Sequence, residues 1–343
     1  MSSSGKRAIV VVVVLLVLIL GAVGYYFLRG PAPALVVAPG APPDLLSLLP
    51  PNAPVIAFAD VAALRASPNF GMQSPVFNSS AEEDPDYQAW EKQTGFHWNT
   101  DLDRLAIAAW PDYAKKLPNG APRVALVALA DGRFDRGKIS AYAARFGTVT
   151  KHGADDIYEV PSSIPNEKLS FTFLSPTRIA LAQEMSLDPL LALSGNSGLD
   201  PATRERIAHV AGATFFAVMR TDNLPQTIAI PGLQSGQLNH LLKSIRSVTV
   251  AGHPDGAKLV IAAEADCNSF PNALQLSTTL DALRWIGRAA LADPKTRQQM
   301  RPADAAALDT LLKIASISHQ DHWVRIRLDL TPEILQAAAP SSK

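Results

Sequence analysis

The chain has 343 residues, and its 31 lysines and arginines balance 31 aspartates and glutamates, so the formal net charge is zero. This balance argues against a nucleic-acid-binding protein or a polybasic membrane-surface protein, because both need a concentrated positive face. The single cysteine, Cys267, excludes a disulfide within the chain. The length of the chain suits one large domain or two domains of ordinary size.

An apolar run from Ala8 to Leu28 follows a polar leader, residues 1–7, that carries Lys6 and Arg7. A helix of this length spans about 30 Å, which matches the hydrocarbon core of a bilayer. Because basic residues stay on the cytoplasmic side, we expect a single-pass signal-anchor with its amino terminus in the cytoplasm and its bulk outside, in the periplasm. A cleaved signal peptide is the alternative, although its apolar region usually has only about 7–15 residues.

Residues 29–43 are rich in proline, which disfavours both helices and central strands. This segment therefore predicts a semi-rigid, extended tether that holds the folded part away from the membrane. The folded part begins near Asp44. Later apolar stretches are interrupted by charged side chains, so one membrane span is the most economical count.

Residues 44–198 predict a first α+β unit, in which apolar runs alternate with turn-forming residues. Gly147 favours the end of a helix. The predicted strands are 55–60, 105–110, 123–129, 156–160, 169–174 and 178–182, and the predicted helices are 45–49, 61–65, 87–94, 138–146 and 189–193.

Residues 199–343 predict a second α+β unit that repeats much of this order. The predicted strands are 213–219, 245–251, 258–263, 317–320 and 323–328, and the predicted helices are 272–291 and 304–314. Both halves then have three strands, a helix and two further strands. The predicted fold class is α+β, with an N-terminal transmembrane helix followed by two tandem antiparallel-sheet α+β units.

No segment carries a recognisable catalytic or cofactor motif, so the sequence assigns no catalytic, cofactor-binding or metal-binding residues and no cofactor. Asp101 and Asp103 are the strongest counter-candidates. Two carboxylates on one side of an extended segment suit an acid/base pair or a shared cation, although turn or capping roles are commoner there. The sequence does not decide whether the protein is an enzyme, and a non-enzymatic protein is the favoured interpretation.

Two other groups resemble metal ligands. His319 and His322 flank Gln320 and Asp321, but they fall between two strand-like runs, which favours a hairpin turn over a helix that shares a metal. Residues 82–86 are acidic, yet they lack the alternating spacing of a calcium loop. A solvated loop is the favoured interpretation there.

Three short motifs carry a resemblance to a known group. They are residues 49–55 with the strand and Asp60 after them, residues 94–96 with residues 101–103, and residues 132–135. Over residues 45–180 the chain resembles uncharacterised bacterial single-pass envelope proteins. The resemblance implies an anchored extracytoplasmic α+β protein and carries no activity to any residue.

Together these observations predict a membrane-anchored extracytoplasmic binding or scaffold protein of the bacterial cell envelope. We expect a protein partner in the envelope, a single span in the membrane and no nucleic acid as partner. An extracytoplasmic hydrolase with an unrecognised site and a lipid-binding or amphiphile-binding module are the alternatives.

Overall fold

The computed structural model describes residues 44–67, 85–116, 122–153, 155–161, 167–188, 191, 199–210, 212–222, 243–298 and 302–334. The predicted leader, membrane span and tether, residues 1–43, lie outside the described residues. Within the described ranges, no helix combines the length and apolar character that crossing a membrane requires.

The described residues form twelve strands. The strands of the first half are β1 (Val55–Asp60), β2 (Leu102–Lys116), β3 (Pro122–Gly132), β4 (Thr148–His152), β5 (Asp155–Pro161), β6 (Lys168–Ser175) and β7 (Arg178–Gln183). The strands of the second half are β8 (Phe215–Arg220), β9 (Ile245–Asp255), β10 (Lys258–Cys267), β11 (Ser316–Gln320) and β12 (Trp323–Leu330).

All twelve strands belong to one antiparallel sheet, in the order β11-β12-β10-β9-β8-β1-β2-β3-β7-β6-β5-β4. The predicted fold class, two tandem α+β units each with its own sheet, is therefore wrong. The molecule is mainly one large antiparallel sheet that carries a small number of helices. The boundary at residue 198 stays a prediction.

The two halves meet where β1 pairs with β8, and this junction explains why there is one sheet. Both strands are short and mostly apolar, Val-Ile-Ala-Phe-Ala-Asp and Phe-Phe-Ala-Val-Met-Arg. The pairing aligns Phe58 with Phe216, whose ring centroids are 5.8 Å apart. Two unprotected apolar edges stabilise each other by pairing, whereas two separate sheets would leave both exposed.

The helices lie on both faces of the sheet. Their ranges are α1 (Asp44–Ser47), α2 (Val61–Arg65), α3 (Pro85–Thr94), α4 (Trp98–Asp101), α5 (Arg136–Phe146), α6 (Pro201–His209), α7 (Phe270–Ala292), α8 (Pro294–Arg297) and α9 (Pro302–Ile314). Leu45 and Leu46 of α1 and Ile207 of α6 pack in the largest apolar cluster, together with Phe58 and Phe216. We call this side the α1/α6 face.

The opposite side, the α5/α7 face, carries α5, α7 and α9. Ile139 of α5 packs with Phe171 of β6, and Ala273 and Leu276 of α7 pack with Val324 of β12. Strand register shows that these contacts share one face, because cross-strand partners point the same way. Followed from β7 through β3, β2, β1, β8, β9 and β10 to β12, the successive cross-strand partners are Ile179, Ala130, Leu105, Ala59, Phe215, Gly252, Ile261 and Leu328.

The long helix α7 begins at a defined cap. Ser269 accepts a hydrogen bond from the backbone N–H of Asn272, and a proline follows within the first turn. A hydroxyl at this position satisfies one of the free N–H groups that every helix start presents. Pairing in the sheet holds β10, so the cap fixes the direction in which α7 crosses the α5/α7 face.

Candidate functional site

Asp101 and Asp103, the carboxylates that the sequence offered as the strongest candidates for chemistry, each contact an arginine in the structure. Asp101 ends α4 and accepts hydrogen bonds from the His97 backbone N–H at 2.9 Å and from Arg133 Nη2 at 3.2 Å. Partial burial acts to raise the pKa of Asp101, but these hydrogen bonds outweigh it and lower that pKa below its ordinary value. Asp103 Oδ1 instead contacts Arg65 Nη2 at 3.0 Å. Each carboxylate thus has its own arginine.

The two histidines of the candidate metal cluster, His319 and His322, also contact different partners. His319 Nδ1 lies 3.2 Å from Ser277 Oγ of α7, whereas His322 Nε2 lies 3.6 Å from Asp266 Oδ1. Asp321 takes a positive φ of 51° in the turn between them. In the described part of the chain, no group of three or more His, Cys, Asp or Glu side chains could hold a metal ion. Of the acidic stretch, residues 82–84 lie outside the described residues.

A buried ion-pair site that the sequence analysis missed occurs in the first half. Asp131, next to last in β3, is 7% exposed and points to the α1/α6 face. Its carboxylate contacts Arg178 Nε at 2.6 Å and Arg104 Nη2 at 2.6 Å. Three neighbouring strands, β2, β3 and β7, therefore share one charged cluster at this end of the sheet.

The second half has a counterpart at Asp266, next to last in β10 and 4% exposed. Arg246 Nε lies 3.1 Å from its Oδ1, and Arg206 Nε of α6 lies 3.7 Å from its Oδ2. Nearby on the same strand, Glu264 is buried and accepts from Arg325. Like Asp131, Asp266 joins a strand end to arginines of other elements.

The Asp266 cluster differs from the Asp131 cluster in its unpaired polar atoms. Arg206 Nε and Nη1, Arg220 Nε, Ser247 Oγ and Glu264 Oε2 are buried without a hydrogen-bond partner among the described residues. Buried polar groups normally find a partner in protein or water. These side chains belong to α6 and to the neighbouring strands β8, β9 and β10.

A different surface stands out on α7. Its exposed residues form what we call the α7 outer face, and they are Phe270, Pro271, Leu274, Gln275, Thr278, Ala282, Trp285, Ile286, Ala289 and Ala292. None of them is charged. Four are large apolar side chains with exposed fractions between 43% and 57%.

The charged residues of α7 lie along one edge of this face. Asp281 Oδ1 contacts Arg284 Nη2 at 2.8 Å, and Arg284 Nη1 donates to the Ala315 carbonyl at 2.6 Å. The Arg288 guanidinium lies over the Trp285 ring, 5.1 Å from its centroid. Together these three are all the charges in the helix.

A helix in the same protein shows the usual arrangement. The exposed residues of α5 include Arg136, Lys138 and Arg145, although α5 is half as long as α7. Surface helices normally place charged or polar side chains opposite their buried face. The α7 outer face departs from that rule because none of its exposed residues is charged and only Gln275 and Thr278 are polar. A largely apolar exposed face is the pattern of a surface that another molecule covers.

Comparisons with known proteins give only a distant structural likeness. No protein-family model and no curated protein matches the chain. Crystal form I of TP0453 aligns with a TM-score of 0.44 and 11% identity, over 88% of this chain and 99% of that one. Crystal form IV aligns with a TM-score of 0.45 and 8% identity, over 89% and 97%.

Proposed function

We propose that the protein is a membrane-anchored binding or scaffold protein of the bacterial cell envelope and that the α7 outer face is its docking surface. The observation that carries the proposal is the absence of charge from every exposed residue of this 23-residue helix. Its exposed aromatic side chains, Phe270 and Trp285, are of the type that anchors protein interfaces.

Burial of the α7 outer face is favourable because it removes apolar surface from water. An exposed apolar surface costs roughly 25 cal/mol per Å² relative to the same surface buried. Phe270, Leu274, Trp285 and Ile286 keep about half of their surface in water. A partner that covers these side chains gains that free energy where they become buried. It must also accommodate the Arg288 guanidinium that lies over the Trp285 ring, either by pairing it or by leaving it in water.

The location is supported by the sequence. The apolar run 8–28 has the length of a membrane span, and residues 29–43 would place the folded part outside the membrane on a short tether. Protease added to intact spheroplasts should therefore digest the chain beyond about residue 30. Full protection of the folded part would contradict the proposed orientation.

Docking is tested by photo-crosslinking in cells that express the full chain. A photoreactive phenylalanine analogue replaces Trp285 in one variant and Phe146 in the control. Phe146 is also an exposed aromatic, 45% exposed at the end of α5, and an arginine lies over its ring as one does over the ring of Trp285. The two sites differ in that the exposed residues of α5 include charged ones and those of α7 do not. We expect adducts at position 285 and few at position 146. No adduct at 285, or equal adducts at both positions, would contradict the proposal.

A further inference from the structure

We propose that the polar cluster beneath α6 binds one small monovalent anion, such as chloride, between Arg206 and Arg220. Arg206 belongs to α6 and Arg220 is the last residue of β8. On β9, Ser247 pairs with Arg220 on one side and with Asp266 of β10 on the other. Because cross-strand partners share a face, all three point toward α6, away from the α7 outer face.

The first half of the sheet contains a corresponding row in which opposite charges alternate. Across β1, β2, β3 and β7, the residues of that row are Asp60, Arg104, Asp131 and Arg178. Across β8, β9, β10 and β12, the residues of the second-half row are Arg220, Ser247, Asp266 and Trp323. A serine thus stands where the first half has its central arginine. Arg220 therefore faces a small neutral side chain on β9 and no carboxylate.

The hydrogen-bond donors at this place lack acceptors. Arg206 Nε and Nη1, Arg220 Nε and Ser247 Oγ are buried without a hydrogen-bond partner among the described residues. The side chain of Arg206 is only 12% exposed, and Ser247 is fully buried. A buried donor without an acceptor costs more free energy than an ordinary hydrogen bond contributes. An anion that accepts from all three side chains removes this cost through charge-assisted hydrogen bonds.

The balance of charge around the site also favours an anion. Arg246 Nε donates to Asp266 Oδ1 at 3.1 Å, whereas Arg206 Nε lies 3.7 Å from Oδ2, too far for a hydrogen bond. Burial acts to raise the pKa of Asp200, but hydrogen bonds at the start of α6 and the charges of Arg220 and Arg206 lower it. Three guanidinium groups thus face two carboxylates, and one monovalent anion neutralises the difference.

Two further carboxylates near the site do not take the place of the anion. Asp222 Oδ2 lies 3.3 Å from Arg220 Nη2, but the Asp222 side chain is 61% exposed, so water screens its charge. Glu264, two residues before Asp266 on β10, accepts from Arg325, and these two charges cancel. Since a carboxylate repels an anion, we expect the ion over Ser247, at the Arg220 end of the row.

Anomalous diffraction locates the ion directly. Crystals of the full chain grown in sodium bromide should show a bromide within hydrogen-bond distance of Arg206, Arg220 and Ser247. A water molecule or a carboxylate of the chain in that place would overturn the proposal. Bromide found at other positions and missing from this one would be an adventitious ion only, and this result would overturn the proposal as well.

Thermal unfolding of the full chain in detergent measures binding in solution. Exchange of sodium gluconate for sodium chloride at constant ionic strength should raise Tm by on the order of 5 °C at saturation, because the ion binds only the folded chain. Arg220→Lys keeps the positive charge but removes Nε, and it should abolish most of this rise. Arg133→Lys, at an arginine that is 66% exposed and belongs to the first half, should leave it unchanged.

Ser247→Ala provides a second test, because it removes only a hydroxyl and leaves every charge in place. The chloride concentration needed for half of the rise in Tm should increase roughly tenfold, as the loss of one hydrogen bond to a charged group predicts. A native chain that does not respond to chloride would overturn the proposal, and so would an equal response in the native chain, Arg220→Lys and Ser247→Ala. Neither result bears on docking at the α7 outer face, which the crosslinks at position 285 test separately.

Discussion

Asp131 is a buried carboxylate that arginines of two other strands hold, at 2.6 Å to Arg178 Nε and 2.6 Å to Arg104 Nη2. Asp131→Ala should lower the free energy of unfolding by about 3–5 kcal/mol, because it leaves positive charge without its buried partner. Urea denaturation at neutral pH measures the change. Asp103→Ala is the control: its carboxylate is 40% exposed, and we expect a loss below about 1 kcal/mol.

Cys267 gives a prediction about pH. Burial, with a smaller contribution from Asp266, raises the pKa of its thiol from 9.0 to about 11. Because only the thiolate reacts, iodoacetamide should label the folded chain slowly at pH 8 and faster as the pH approaches 11. Labelling in urea at pH 8 should be rapid. Equal rates in folded and unfolded chain would contradict the burial of this thiol.

The same pKa shift predicts a loss of stability at high pH. The unfolded chain releases the thiol proton near pH 9, whereas the folded chain keeps it until about pH 11. Stability should therefore fall as the pH rises between these values, and Cys267→Ala should remove that part of the fall. Urea denaturation at pH 8 and pH 10 compares the two proteins.

Sequence reasoning notices charged residues that are neighbours in the chain more readily than residues that are neighbours in space. It singled out Asp101 and Asp103, which are adjacent in sequence, but passed over Asp131 and Asp266, whose partners are distant. One local signal was available: both buried aspartates follow an alanine at the end of a strand, at Ala130 and Ala265. Only the sheet order shows that these two ends correspond.

At the scale of elements, the end of α5 depends on Gly147. A Cβ atom at this position would lie 1.8 Å from the Glu159 carbonyl oxygen of β5. Gly147→Ala should lower the free energy of unfolding by several kcal/mol, because backbone on both sides would have to move. Thermal unfolding followed by circular dichroism measures the shift.

Gly137, in the first turn of the same helix, is the matched control for that experiment. A Cβ atom there would meet Asp135 Oδ1 at 3.5 Å, an ordinary contact. Gly137→Ala should raise stability by up to about 1 kcal/mol, because alanine favours helix more than glycine does. Equal effects of the two substitutions would show that close approach to Glu159 has no role.

Elements with a strong local pattern were predicted well. The strand at 55–60 coincides with β1, since an apolar run ends there at a helix-capping aspartate. The helix predicted at 272–291 matches α7 within two residues. Strand β4 was missed, because all five of its residues are exposed and they lack apolar alternation. Helix α6 was missed as well, although Asp200 and Pro201 form a clear start signal.

At the scale of the whole molecule, the pairing of β1 with β8 should make the two halves unfold together. Phe58 and Phe216 are both buried at this junction. Phe58→Ala should cost about 3–5 kcal/mol, as large-to-small core substitutions do. Hydrogen exchange in mild denaturant should show β2–β3 and β9–β10 losing protection in parallel.

Phe146→Ala removes a half-exposed ring that packs on Tyr142, and it should cost about 1–2 kcal/mol, less than Phe58→Ala. Loss of protection in one half while the other stays protected would show that the continuous sheet does not couple them.

The single sheet was beyond the reach of sequence reasoning. The similar order of strands and helices in the two halves suggested two separate units, and nothing near Val55 or Phe215 signals that these strands pair. Their pairing joins residues more than 150 positions apart, and only the free energy of the completed sheet favours it. Local patterns predict elements, and long-range pairing then decides how many sheets they build.

This pairing has a consequence for biosynthesis. While the ribosome makes the residues between Asp60 and Phe215, β1 has no partner on one side. At ~5–20 residues per second, that interval lasts roughly 10–30 s. During this time the nascent first half exposes an unpaired apolar strand edge to any neighbouring polypeptide. Its correct folding therefore depends on a chaperone or on the rapid synthesis of β8.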